Sequence, residues 1–291
     1  MSALELARCS LNQATINNAD LQTAIDVATG IGIPAIGVWR KQVAEMGVSS
    51  ASRAIRDAGL RVTSLCRGGF FTSADPAAWQ DELDDNRRAI DEAHQIGTRV
   101  LVLVAGGIPA GGSLTDAHAR VREAIETLAP DAKAAGVTLA LEPMHPVFAA
   151  DRGVVSTIAH ALDIVRSLPS DVAGLAVDSY HVWWDWTLEQ QIRDAAQADR
   201  LTLVQVADWA PPGGRDPLVA RAFPGDGSID FASFIALVES VGYTGDIEWE
   251  IFNTDLWARD PRLVGEQVAE AHRRLIAPHL APADTKGEPV Q

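Results

Sequence analysis

Glu142, Asp178, Gln205 and Glu250 each stand near the end of an apolar run; the runs read TLALEPMH, GLAVDSYH, LTLVQVAD and GDIEWEIF. The intervals from 142 to 178, 178 to 205 and 205 to 250 are 36, 27 and 45 residues, each about one strand-plus-helix unit. If neighbouring parallel strands, the fifth to the eighth of a barrel, carry these runs, the four side chains meet at one rim. Three carboxylates and an amide oxygen there form a hard donor set suited to one Mg²⁺ or Mn²⁺. Without a cation, carboxylates so placed repel one another. Each residue alone has a plain structural alternative: Glu142 as a helix cap, Asp178 paired with a surface arginine, Gln205 satisfying loop backbone. Their joint placement is what argues for a metal site.

Other side chains surround that set. Glu248 lies two residues before Glu250 and faces the same way by strand alternation, so it is expected lower in the barrel, paired with a basic side chain. Asp208 is three residues past Gln205 and is expected to anchor a loop. His145 and His181 each follow a candidate ligand by three residues; the structural alternative is a loop histidine bonded to backbone. A histidine beside Glu142 could protonate a leaving group, which suits elimination better than epimerisation. Arg40 and Arg67 end the runs VWR and LCRG, and Arg221 lies in a Pro-Gly loop. Each could bind substrate carboxylate or hydroxyls, or could pair with one of the 39 acidic residues. Aromatic residues gather in HVWWDW, where Trp183, Trp184 and Trp186 either clamp a helix or stack on a sugar, Trp184 being the candidate for substrate. Phe70 and Phe71 in RGGFF would extend such a wall.

A recurring unit must position these groups. An amphipathic stretch, a glycine and a β-branched apolar run repeat at GIGIPAIGVW, DAGLRVTSLC, QIGTRVLVLV, AAGVTLALEP, VAGLAVDSYH and VGYTGDIEWE. Glycine just past a helix takes the left-handed conformation without Cβ strain. With strands near 8–14 and 201–207, the count is eight. In DAHARVREAIETLAPDAKAAG, Val121, Ile125 and Leu128 fall on one helical face. Eight such units in one domain predict a (β/α)₈ TIM barrel over residues 1–278, with a loose, Pro-rich tail over 279–291. A doubly wound open sheet would carry a Gly-rich phosphate turn after its first strand, where this chain reads SLNQATINNAD. The stretch APPGGRDPLVARA, residues 210–222, is a long loop expected at the active-site rim.

Composition narrows the function. The 291 residues are 47% hydrophobic and carry a formal net charge of −15. That balance repels nucleic-acid backbones and anionic lipid, and it weighs against a phosphorylated substrate. Cys9 and Cys66 make neither a disulfide framework nor a zinc pattern, and Cys66 reads as a buried small hydrophobe. No signal segment or run of roughly 18 apolar residues is present, so the expectation is a cytoplasmic protein.

The segments LEPMHP, DSYH, VQVAD, RAFPGDGSIDF and GYTGDIEWEIF resemble the xylose-isomerase-like TIM barrels, a sugar isomerase and epimerase group that includes hydroxypyruvate isomerase, ketose 3-epimerases and inosose dehydratase. The resemblance covers most of the chain. Its Arg-x-x-Pro-Gly-x-Gly loop matches Arg221, Pro224, Gly225 and Gly227, although about a dozen residues separate Asp208 from Arg221, more than in compact members. Gln205 matches the ligand type of hydroxypyruvate isomerase-like members. The resemblance implies metal ligation by Glu142, Asp178, Gln205 and Glu250, proton transfer next to a carbonyl by Glu142 and Glu250, and substrate contact by His181 and Arg221. It implies a small carbohydrate substrate and a homo-oligomer.

The first expectation is a divalent-metal isomerase or epimerase of a keto sugar or related ketone. The second is a lyase using the same enolate, of the inosose-dehydratase kind or the C-glycoside-cleaving kind, the latter with a small β subunit. A repair endonuclease of the related barrel type needs more metal-binding histidines than 7 and a basic face. A non-catalytic binding barrel would not need the ligand set.

Overall fold

The computed structural model describes residues 3–281. Eight parallel strands, β1 (Cys9–Asn12), β2 (Ala35–Trp39), β3 (Arg61–Gly69), β4 (Val100–Val104), β5 (Thr138–Glu142), β6 (Ala173–Asp178), β7 (Leu201–Val206) and β8 (Ile247–Trp249), pair in sequence order, and β8 closes onto β1. The helices are α1 (Leu21–Ile31), α2 (Arg40–Met46), α3 (Val48–Asp57), α4 (Pro76–Ile96), α5 (Leu114–Ala135), α6 (Ile158–Val165), α7 (Ser179–Val182), α8 (Leu188–Gln197), α9 (Phe231–Ser240), α10 (Thr254–Trp257) and α11 (Pro261–Ala271). This is a (β/α)₈ barrel, as the strand-and-helix alternation predicts. The part of the expected tail from 282 to 291 lies outside the described residues. His279 sits in a short helical turn, and the Ala281 N–H donates to Glu239 Oε2 at 2.8 Å.

Two apolar clusters hold the barrel. The larger fills the space between strands and helices and includes Val121, Ile125 and Leu128 of α5, all fully buried. The smaller is Cys66, Val102, Ala140, Ala176 and Leu203. Strand alternation places these five on the interior face, one step below Glu142, Asp178 and Gln205. Much of the remaining interior is polar: Ser10, Asn12, Ser64, Gln205 and Glu248 are all fully buried. The barrel centre is therefore built around a hydrogen-bonded polar layer as well as an apolar one.

Glycine at the helix ends follows the expected pattern at Gly97 (φ 90°) and Gly136 (φ 66°), whose N–H groups cap α4 and α5. Gly174 departs from it. It lies inside β6, nine residues after α6 ends at Val165. A Cβ there would lie 1.9 Å from Thr202 Oγ1, so close strand packing, not a helix end, requires the glycine.

Candidate metal centre and active site

Glu142 and Asp178 are the last residues of β5 and β6, Gln205 is the penultimate residue of β7, and Glu250 follows β8. The β6–β7 register sets Asp178 opposite Gln205, and β7–β8 sets Gln205 opposite Glu248. All five side chains are buried. Ligand-type atoms of Glu142, Asp178 and His181 lie within 4.8 Å of one another. A cavity of about 200 Å³ opens above them, lined by Glu142, Glu250, Arg221, Cys66, Arg67 and Arg152 among polar groups and by Trp39, Phe70, Met144, Leu218 and Phe252 among apolar ones. That volume is below the ~300–1,000 Å³ usual for drug-sized ligands, so a small substrate fits best.

Glu248 accepts hydrogen bonds from Asn12 Nδ2 (2.7 Å), Ser64 Oγ (2.9 Å), Gln205 Nε2 (2.8 Å) and Thr63 Oγ1. Its partners are neutral donors, and among the described residues no basic side chain takes the expected place beside it. Three strands of the closed barrel, β1, β3 and β7, supply enough N–H and O–H groups to solvate one carboxylate. The bond to Glu248 also occupies the Gln205 amide nitrogen. Gln205 Oε1 is left buried with no partner, as is Glu142 Oε1.

Arg221 is the cation of this layer. Its Nη1 lies 2.7 Å from Asp178 Oδ2 and 3.4 Å from Glu250 Oε2, and it also donates to the Glu250 carbonyl oxygen at 3.1 Å. Tyr180 and Phe252 flank the guanidinium at 4.6 and 4.8 Å. The loop that delivers it is anchored by Asp208, which accepts N–H bonds from Gly225, Gly227 and Ile229. A Cβ on Gly227 would lie 2.4 Å from Asp208 Oδ1, which explains the second glycine of the motif.

Burial raises the Glu142 carboxyl well above its usual range, and Glu250 and Asp178 add to it. Glu250 is pushed up to about 8 by burial against the pull of Arg221, with Asp178 and Glu248 adding. Burial also raises Asp178, opposed by Arg221. Burial pulls Arg221 down, but Asp178, Glu250 and Glu142 outweigh it and hold the guanidinium charged. His181 is held well below its ordinary value by burial and then by Arg221, so its ring is neutral. Its Nδ1 accepts the His145 N–H at 3.2 Å, and its Nε2 lies 3.3 Å from Arg221 Nη2 and 3.6 Å from Glu142 Oε1. One guanidinium against this many carboxyls, with two orphaned oxygens, is a set that fits a divalent cation. A second grouping, Cys66 with Glu248 and Glu250, fits less well. Its Glu248 oxygens are already filled, and burial first and then Glu250 hold the Cys66 thiol protonated.

Other expected site residues are placed elsewhere. Arg40 is held by Asp85 (2.8 Å) and Glu92 (2.6 Å) of α4, so its guanidinium serves an ion-pair cluster outside this cavity. The ring of His145 stacks on Trp209 at 4.4 Å, and its Nδ1 accepts the Val147 N–H; it does not line the cavity. Trp184 donates from Nε1 to the His181 carbonyl at 2.8 Å and sits on the outer rim, while Trp186 is 93% exposed. Phe71 is core, and Phe70 lines the cavity. Sequence reasoning missed Asn12, Trp39 and Arg152. Asn12 ends β1 as the candidate ligands end theirs, a signal that could have marked it. Trp39 Nε1 donates to Asn12 Oδ1 at 2.8 Å.

The family profile described as xylose isomerase-like TIM barrel matches residues 25–276. A solved structure from Sinorhizobium meliloti 1021, protein SMc04130, is 41% identical with a TM-score of 0.90, covering 93% of this chain and 99% of that one. L-ribulose 3-epimerase of Mesorhizobium japonicum is 27% identical over 224 residues, 73% of this chain and 69% of that protein. 3-Dehydroshikimate dehydratase of Pseudomonas putida is 29% identical over 76% of this chain, which spans only 33% of that longer protein. A structure of the IolI protein with a bound zinc atom shares the fold, with a TM-score of 0.80 at 16% identity, covering 94% of this chain and 99% of that one.

Proposed function

This chain belongs to the xylose isomerase-like TIM barrel family, and on that premise we propose that it is a divalent-metal-dependent isomerase or epimerase that moves a proton next to the carbonyl of a keto sugar or related polyhydroxy ketone. The observation that carries the reading is the buried oxygen set on β5–β8, with Glu142 Oε1 and Gln205 Oε1 unpartnered beside a small cavity. Glu142, Asp178, Gln205 and Glu250 would hold the ion. Mn²⁺ and Mg²⁺ both suit such donors. A bound divalent cation supplies polarisation of the substrate carbonyl, which makes the adjacent C–H more acidic.

The chain's own residues then divide the work. Glu142 at the end of β5 and Glu250 just after β8 both line the one cavity, so one carboxylate would take the proton and the other would return it. His181, neutral and set between Glu142 and Arg221, would contact a substrate oxygen beside Glu142. Arg221 holds Asp178 and Glu250 in place and presents its guanidinium to substrate hydroxyls. The apolar residues around the mouth exclude water from the exchanging proton.

A second reading, elimination from the same carbanion-like state, is supported by similarity to proteins named as 3-dehydroshikimate dehydratases. The test is a panel of ketoses, inososes, hydroxypyruvate, 3-oxo-glucosides and 3-dehydroshikimate in D₂O, with Mn²⁺ and with EDTA. Deuterium uptake next to the ketone without loss of a group, abolished by EDTA, is the expected result. Release of water or an aglycone selects elimination, and turnover that ignores EDTA overturns the metal-dependent reading.

A further inference from the structure

We propose that the substrate carries an anionic end, a carboxylate or a phosphate, and that Arg67 at the cavity mouth binds it. This rests on the reading of the cavity as the site of an enolising ketone, and it adds what the far end of that ketone bears.

Three arginines lie near one another here: Arg40 just after β2 and outside the cavity, Arg67 near the end of β3, and Arg152 in the stretch after β5. Arg40 is filled by Asp85 and Glu92, and Arg152 Nε lies 2.9 Å from Asp151 Oδ2. Arg67 has no carboxylate within ion-pair distance among the described residues; its guanidinium rests 4.0 Å over the ring of Phe70. This is notable in a chain with 39 acidic residues against 24 Lys and Arg. Both Arg67 and Arg152 line the cavity that holds Glu142 and Glu250. Arg67 is exposed overall; its partial burial and then the neighbouring Arg152 work against its charge, and a counter-ion there would offset the repulsion from Arg152.

The segment that bears Arg67 is held from behind. Buried Asn86 of α4 accepts the Gly69 N–H at 2.6 Å and donates to the Gly69 carbonyl at 2.9 Å. Phe70 N donates to Val104 O at 2.7 Å, and Phe71 N to Ala105 O at 3.1 Å. Phe70 is kept at φ 62°, a conformation a bulky residue adopts only when its surroundings impose it. The ring that supports Arg67 is thus fixed before any ligand arrives. The cavity sets the carboxylates of Glu142 and Glu250 and the guanidiniums of Arg67, Arg152 and Arg221 among apolar walls. A neutral sugar would offer Arg67 only hydroxyls. A ketone with its carbonyl at the floor and an anion at the outer end would match both, through a charge-assisted bidentate contact.

Two matched pairs of probes test this: L-ribulose against L-ribulose 5-phosphate, and an inosose against 3-dehydroshikimate. Binding to the Mn²⁺-loaded protein is read by calorimetry for the wild type, Arg67→Gln, Arg67→Lys and, as a nearby-cation control, Arg40→Gln. The wild type is expected to bind the anionic member of at least one pair about tenfold or more tightly than the neutral one. Arg67→Gln should bring the two members together, Arg67→Lys should restore part of the gap, and Arg40→Gln should leave it intact. Preference in the ribulose pair alone assigns a phosphate, and in the other pair alone a carboxylate. Where a probe turns over, the loss in Arg67→Gln should fall on KM more than kcat. Equal affinity within both pairs, no binding by either anion, or an Arg67→Gln variant that keeps the preference would overturn the proposal. Deuterium exchange into the same probes is scored separately: its absence alongside an Arg67-dependent preference would defeat the ketone chemistry and leave the anion subsite standing.

Discussion

Two glutamates on one strand end carry the same charge into the same barrel and meet different fates. Glu248, in the lower layer, is surrounded by neutral donors from Asn12, Thr63, Ser64 and Gln205. Glu250, one step higher, takes a longer bond from Asn12 Nδ2, at 3.3 Å, and faces Glu142 and Asp178 with Arg221 as the cation it shares with Asp178. The lower layer is closed: its hydrogen bonds are made within the protein. The upper layer keeps oxygens without partners and carboxyls pushed toward their protonated forms. Burial is common to both, so burial alone does not make a site. What separates them is the supply of donors, and the lower layer consumes the Gln205 N–H that would otherwise have satisfied an upper-layer oxygen.

The sharpest way to break the comparison is to neutralise each layer in turn. Glu142→Gln or Glu250→Gln removes a proton acceptor, and deuterium uptake from solvent should fall about a thousandfold or more while the fold persists. Near-native uptake by either variant would remove that carboxylate from the paired role. Glu248→Gln should act differently. Its new amide N–H groups would face the donors Asn12 and Gln205, costing about 2 kcal/mol in denaturant unfolding. By freeing Gln205 to turn, it should also weaken metal affinity about tenfold. A Glu248→Gln protein as stable and as metal-avid as the wild type would show that the lower layer does not orient the upper.

The metal-free protein offers a gentler test. Glu250 titrates higher in the folded chain, about 8, than its ordinary 4.5, and Glu142 and Asp178 shift the same way. A raised carboxyl binds its proton more tightly when folded, so its contribution is fully present below 4.5 and is lost as pH rises through about 8. The melting temperature in EDTA should therefore decline between those values, and a flat profile there would contradict the burial, and the repulsion added to it, that raise these carboxyls. The smallest effect is expected outside both layers. Arg40→Gln should leave turnover within about twofold and cost no more than about 1 kcal/mol, because partly exposed ion pairs contribute little. A large loss of activity would return Arg40 to the site.

The barrel was legible because its signals are local. Apolar runs, helix-ending glycines such as Gly97 and the faces of α5 can each be read within about twenty residues. The gathering of Glu142, Asp178, Gln205 and Glu250 followed from that regularity. What stayed hidden depends on partners far along the chain or on side-chain direction. Asn12 reaches Glu248 across 236 positions, a contact that exists only because β8 closes onto β1. Arg40 meets its acids on α4, 45 and 52 residues away. His145 has the expected spacing, yet its ring turns outward to Trp209 while its backbone N–H serves His181. Arg152 lies in the irregular stretch after β5, where no periodicity marks it.

Manganese titration of the metal-stripped protein, followed by electron paramagnetic resonance, bears most directly on the upper layer. One Mn²⁺ per chain should bind, and the site should be lost or weakened by more than about tenfold in Asp178→Asn and Gln205→Leu but not in Arg40→Gln. No stoichiometric binding by the wild type, or equal binding by all three variants, would contradict it.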